Sequence, residues 1–90
     1  MEIIVDEIFF KDLDKLKNKP LYAKIDKVIE EIKAASELNG IKNLKKLSAG
    51  KIKDCYRLRI GDYRIGIRLI ESRIVFVRIL HRKEIYRFFP

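Results

Sequence analysis

The sequence predicts an α+β domain of order β-α-α-β-β-β, with a two-helix hairpin packed on one face of a small, mostly antiparallel sheet. Three observations carry that prediction. Apolar residues recur at helical spacing between Phe9 and Ile32. From Asp54 onward the period becomes two, through "CYRLRIGDYRIGIRLIESRIVFVRILH". Between the two regimes stands "NG", Asn39–Gly40, a helix-terminating pair.

Each element follows from its residues. "EIIV" (Glu2–Val5) is β-branched and predicts a first strand. Asp6 is placed to cap the next helix, in which Phe9, Leu13 and Leu16 recur at i, i+4 and i+7. "NKP" at Asn18–Pro20 breaks that helix, and Pro20 suits the first turn of a second one. There Leu21, Ile25, Val28, Ile29 and Ile32 form one apolar stripe opposite lysines and glutamates, up to a stop at Asn39–Gly40. "IKNLKKLSAGKIK" (Ile41–Lys53) reads as a basic connector anchored by Leu44 and Leu47. Three strands follow, joined by tight turns at Gly61-Asp62 and Glu71-Ser72; glycine in the first turn position suits a type II′ hairpin. With no repeat and no linker, residues 1–90 are expected to form one domain.

A hydrophobic fraction of 48% with 10% aromatics supports a packed core and excludes a disordered chain. The single cysteine, Cys55, rules out an internal disulfide and fits a reducing compartment. No apolar run approaches the roughly 20 residues that span a bilayer, and "MEIIVDEIFF" carries acids where a signal peptide carries its positive region. A cytoplasmic location is expected. The net charge of +8 on 90 residues points to a polyanionic partner, nucleic acid first and an acidic protein second. Lysine and arginine are also segregated. All but one of the lysines lie in residues 1–53, and every arginine lies between Arg57 and Arg87. Because the guanidinium fork matches phosphate bidentately, the second half is the expected phosphate-binding part.

Strand register sharpens this. A two-residue Gly61-Asp62 turn pairs Ile60 with Tyr63, Arg59 with Arg64, Leu58 with Ile65 and Arg57 with Gly66. Alternation then puts Tyr56, Leu58, Ile60, Tyr63, Ile65 and Ile67 under the helices. Arg57, Arg59, Arg64 and Arg68 face the other way, with open space expected beside Arg57 at Gly66. Like charges opposed across strands are destabilising, so this face calls for an anionic ligand. A straight ladder from the Glu71-Ser72 turn sets Arg64 against Ile79 and Asp62 against His81, placing His81 on the arginine face. The same ladder puts Arg78 on the core side, where its head has to reach water at the end of the sheet.

A phosphate among arginines, with an imidazole and a phenol nearby, is equipped to cleave RNA. The 2′-hydroxyl loses a proton as it attacks phosphorus, and the leaving 5′-oxygen gains one; imidazole serves either step near neutral pH. Arg57, Arg59, Arg64, His81 and Tyr86 are the catalytic candidates, and Lys51, Lys53, Arg68 and Lys83 are candidates for holding the RNA backbone. One histidine and one cysteine do not supply a zinc site, and no cofactor is expected. Neither a Walker loop nor G-x-G-x-x-G is present.

"CYRLRIGDYRIGIRL" followed by "HRKEIYRFF", after two helices, resembles the RelE/ParE superfamily of bacterial type II toxins. The resemblance spans nearly the whole chain in element order, and its specific part is Tyr56–Arg64 with His81–Tyr86. It implies a RelE-like fold and a metal-independent ribonuclease that enters the ribosomal A site, cuts messenger RNA and leaves a 2′,3′-cyclic phosphate. It gives Arg57 and Arg59 the places of two basic strand residues, often lysines, that assist proton removal and bind the substrate backbone. Arg64, in "GDYR", matches an arginine that contacts the scissile phosphate. Arg82, or His81 with it, takes the position of a further basic residue supporting the transition state, and Tyr86 that of a tyrosine orienting the substrate. The implied partners are the ribosome with its message and a cognate antitoxin, with the toxin alone a monomer and the complex of higher order.

Two departures matter. Arginine stands at both first positions and is never a neutral base, so proton removal falls to His81 or to solvent. The carboxyl end stops at Pro90, which leaves little room for the longer final helix of some relatives. Three alternatives stay open: a ParE-type gyrase inhibitor, a non-catalytic module that only binds its antitoxin, and an inactive relative.

Overall fold

Alternation from Cys55 to His81 builds the centre of the molecule. The computed structural model describes residues 1–47 and 53–90. Strand β1 (Glu2–Val5) leads into helices α1 (Glu7–Leu16) and α2 (Lys19–Ala34). Then come β2 (Leu44–Lys46), β3 (Cys55–Ile60), β4 (Tyr63–Ile70), β5 (Arg73–His81) and a short α3 (Ile85–Phe88). The sheet order is β1-β5-β4-β3-β2, with β1 parallel to β5 and all other pairs antiparallel.

The caps form as their residues dictate. The Asp6 carboxylate accepts the Ile8 N–H at 2.9 Å, and the Asn18 side chain accepts the Leu21 N–H at 3.2 Å, with Pro20 in the first turn of α2. The stop of α2 comes earlier than expected, at Ala34; Asn39-Gly40 sit instead in a separate 3₁₀ turn, Leu38–Gly40. Its last carbonyls find donors without a glycine cap: Ala35 N–H bonds Ile32, and the Met1 nitrogen bonds Ile32, Lys33 and Ala35. The expected connector also contains structure, since Leu44–Lys46 pair with Tyr56–Leu58 as β2.

Helices and sheet meet over Phe9, Leu21, Ile25, Ile32, Leu58, Ile60, Ile65, Ile67, Ile74, Phe76 and Ile79. Fully burying one such side chain contributes about 1.5–3 kcal/mol, so this layer dominates stability. The opposite face is not wholly open. Helix α3 folds back on it, and Ile85 and Phe89 close a second small core with Cys55, flanked by Leu47, Val77 and Leu80. The space expected beside Gly66 is filled, because a Cβ there would lie 2.5 Å from the Phe89 ring.

Both hairpin turns form where expected. Gly61 has φ 60, as the first position of a II′ turn requires, and Glu71 and Ser72 are both left-handed at φ 50 and 68. The β4–β5 ladder is not straight, however. Ile67 pairs with Phe76 but Gly66 pairs with Arg78, leaving Val77 as a bulge. The bulge puts Ile79 into the core and releases Arg78 to the edge of β5, beyond the last pair with β1. There Asp12, only 5% exposed, takes Arg78 bidentately at 2.8 and 2.9 Å and also accepts the Ile79 N–H at 3.1 Å. Donating to the Asp12 carboxylate holds the Arg78 guanidinium above its ordinary pKa against the desolvation that lowers it. Among the described residues no helix is long and apolar enough to cross a membrane.

Candidate active site

The β3–β4 register pairs Arg59 with Arg64 and Arg57 with Gly66, as alternation predicted. With Leu58, Ile60, Ile65 and Ile67 buried under the helices, the three arginines emerge together on the other face. They line a cleft of about 420 Å³ with Asn43, Leu44, Lys45 and Tyr86.

Each guanidinium is positioned by neutral groups. Arg59 Nη2 donates to Asn43 Oδ1 at 3.0 Å, and its backbone N–H donates to the Asn43 carbonyl at 3.0 Å. Asn43 is left-handed at φ 64, a conformation asparagine tolerates well, and this conformation aims both acceptors at Arg59. Arg64 Nη1 donates to the carbonyls of Gly61 at 3.1 Å and Tyr63 at 2.8 Å, so the turn itself holds it. The Arg57 guanidinium lies 4.4 Å from the centre of the Tyr86 ring. Its Nε is buried with no acceptor among the described residues, and an unpaired buried donor costs about 1–3 kcal/mol.

The charge pattern separates these arginines from the rest. Arg73 is matched by Glu2 at 3.3 Å, Arg78 by Asp12 at 2.8 Å and Arg87 by Glu84 at 3.9 Å. Among the described residues, Arg57, Arg59 and Arg64 have no carboxylate partner. Three like charges in one cleft without counter-ions favour an anion.

The other expected site residues divide. Tyr86 is 71% exposed and reaches the cleft from α3, so it is not core. Arg82 joins Arg59 and Arg64 along a neighbouring groove, with its N–H on the Asp62 carbonyl at 2.9 Å. The bulge moves His81 opposite Tyr63 rather than Asp62, which turns it to the helix face. Its ring packs edge-on against Tyr63, centroids 5.8 Å apart, and its Nδ1 accepts the Lys83 N–H at 3.2 Å. His81 does not line the arginine cleft. Arg68 shares the arginine face but sits opposite Cys55, outside the cleft. Lys53 and Lys83 are exposed and outside it too, and Lys51 lies outside the described residues.

Two cleft residues escaped the sequence reading. Lys45 faces Arg57 across β2 and β3, and Asn43 orients Arg59. "LKK" shows no apolar–polar alternation, and three residues are too few to separate a strand from a connector. Among the described residues no three His, Cys, Asp or Glu side chains gather as metal ligands do.

Fold and cleft together define a small basic α+β domain with three arginines gathered in one cleft. Residues 3–86 match the family model for the ParE toxin of type II toxin–antitoxin systems. The chain is 39% identical over 93 residues to the toxin RelE3 of Methanocaldococcus jannaschii, covering 100% of both. It superposes on the RelB-RelE antitoxin–toxin complex from Methanococcus jannaschii with a TM-score of 0.78 and 37% identity, covering 97% of this chain and 99% of that one. The archaeal RelE-RelB complex from Pyrococcus horikoshii OT3 shares the fold at a TM-score of 0.71 and 19% identity, over 90% and 93% of the chains. The chain belongs to the RelE/ParE superfamily of type II toxin–antitoxin toxins.

Proposed function

We propose that this toxin is a metal-independent endoribonuclease that cuts messenger RNA in the ribosomal A site and so arrests translation. The observation that carries this reading is the cleft of Arg57, Arg59 and Arg64, held by neutral groups and without a carboxylate partner among the described residues. The scissile phosphate sits among these guanidinium groups, and the buried Arg57 Nε takes one of its oxygens. The 2′-oxygen forms a bond to phosphorus as the P–O5′ bond breaks. A 2′,3′-cyclic phosphate remains on one product and a 5′-hydroxyl on the other. Negative charge building on the phosphoryl oxygens is met by the arginines, and losing one such donor costs roughly 10²–10³ in rate.

Proton transfer needs a group that exists in both forms, which guanidinium does not. Among the described residues lining the cleft, Lys45 and Tyr86 supply an amine and a phenol. Lys45 therefore takes the proton of the 2′-hydroxyl, a role the sequence left to His81 or to solvent; water gives a proton to the leaving 5′-oxygen, and Arg82 supports the charge from the adjoining groove. An antitoxin is the protein partner; the solved RelE relatives are complexes with RelB, and an uncompensated basic cleft is what an acidic antitoxin segment covers.

A gyrase-directed toxin is the second reading, because the matching family model is that of ParE. One experiment separates the two: induced expression in cells, followed by mapping of messenger RNA 5′ ends and of DNA breaks. New 5′-hydroxyl ends within translated codons are expected. Intact messages with broken DNA would move the chain to the gyrase branch.

A further inference from the structure

The arginine cleft continues into a larger groove. Strand β2 ends at Leu44 and its last backbone contact with β3 is the Arg59 N–H on the Asn43 carbonyl, so β3 is uncovered from Ile60 to the Gly61 turn. A groove of about 740 Å³ runs round this free end, bounded by α2 on one side and the segment before β2 on the other. Arg59, Arg64 and Asn43 line both spaces, so the two are one surface bent round the sheet edge. Beyond them the groove adds Lys24, Lys27, Lys42 and Arg82. Against these cations stand only two acids, Glu31 and Asp62, among the described lining residues.

None of these three lysines takes part in an ion pair among the described residues, whereas Lys11 pairs with Glu7 and Lys33 with Glu30. The difference is positional. Lys11 and Lys33 use carboxylates of their own helices three or four residues away. The Lys24 ammonium instead leans toward the hairpin turn, 3.7 Å from where a Gly61 Cβ would stand. Unmatched cations continuous with an unmatched arginine cleft make a track for a charged chain rather than a pocket for a single ion.

We propose that the groove between α2 and the free end of β3 binds RNA phosphates outside the cleavage cleft, through Lys24, Lys27 and Lys42. This rests on the reading of RNA as the substrate. The phosphates belong either to the nucleotides flanking the cut or to ribosomal RNA, and the two sources differ in what they predict.

The test is binding of wild-type protein and a Lys24→Gln/Lys27→Gln/Lys42→Gln variant to RNA that carries 2′-O-methyl groups throughout and cannot be cleaved. A trinucleotide fills the cleft alone, and a strand of a dozen nucleotides enters the groove as well. The wild type is expected to bind the long strand more tightly. The variant is expected to lose that gain, with the slope of log affinity against log salt reduced by about 2 for three single-strand phosphates. Affinity for the trinucleotide stays unchanged in both. If the variant is weakened only toward message-free small ribosomal subunits, the phosphates are ribosomal. Equal binding by variant and wild type to both RNAs and to subunits overturns the proposal. So does a loss confined to an acidic peptide such as polyglutamate. Because the probes are uncleavable, a wild type that binds them with this length dependence but cuts no message overturns the ribonuclease reading and leaves the groove assignment standing.

Discussion

Arg64 and Arg78 lie on adjacent strands of one sheet, and their surroundings are opposites. Arg78 sits at the β5 edge with its Nε and Nη2 both donating to a buried carboxylate, and that carboxylate also takes the backbone N–H freed by the bulge. Arg64 has two carbonyl oxygens of its own turn and, among the described residues, no acid. Carbonyls orient a guanidinium and leave its charge intact; a bidentate carboxylate spends both. The first arrangement suits a residue waiting for an anion, and the second a residue holding a helix to a strand. The same separation holds for Arg57 and Arg59 against Arg73 and Arg87.

The contrast predicts opposite mutational signatures. Arg64→Ala should lower RNA cleavage by roughly 10²–10³-fold, with thermal unfolding nearly unmoved; a variant that still arrests growth would remove Arg64 from the site. Asp12→Ala should do the reverse. It strands Arg78 and the Ile79 N–H, a loss of about 3 kcal/mol in urea unfolding, the lower end for a broken buried pair because Arg78 keeps some solvent contact. Since the raised guanidinium pKa means that its contribution is complete below the ordinary arginine value, this loss should be the same at pH 6 and pH 8.

Gly66→Ala probes the wall between the two regions. The new methyl meets the Phe89 ring, so either the ring leaves its small core or the strand shifts, at about 2 kcal/mol. Displaced Phe89 would carry α3 and Tyr86 with it, and substrate affinity should fall alongside stability. Unchanged unfolding would show that α3 packs more loosely than the close contact implies. Tyr86→Leu should weaken RNA binding by a few fold, about 0.5–1 kcal/mol, as Arg57 loses the ring above it. The smallest effect is expected at His81. His81→Gln, remote from the cleft, should leave cleavage within about twofold, in line with a surface change under 0.5 kcal/mol. A tenfold loss would return the imidazole to the chemistry.

Much of this was legible because strand periodicity is local. A two-residue turn at Gly61-Asp62 and a period of two suffice to gather Arg57, Arg59 and Arg64 on one face, and the ladder confirms that register pair by pair. The caps at Asp6 and Asn18 are equally local. The β5 bulge was not. It arises because a straight ladder sets Arg78 into the core, whereas inserting Val77 buries Ile79 and lets Arg78 reach Asp12, 66 residues away in the chain. Asp12 itself looks like any polar position in α1 until that strand passes beside it. Lys45 and Asn43 were missed for a related reason: a three-residue strand has too little pattern to announce itself, and only its pairing with β3 defines it.

Helix and strand periods, turn residues and the segregation of arginine from lysine therefore established the fold class and the core of the cleft. Tertiary structure decided which face His81 takes, what fills the space over Gly66, and which arginines keep their charge free. Those outcomes depend on contacts between residues distant in sequence, where the cost of a buried unpaired charge outweighs regular pairing.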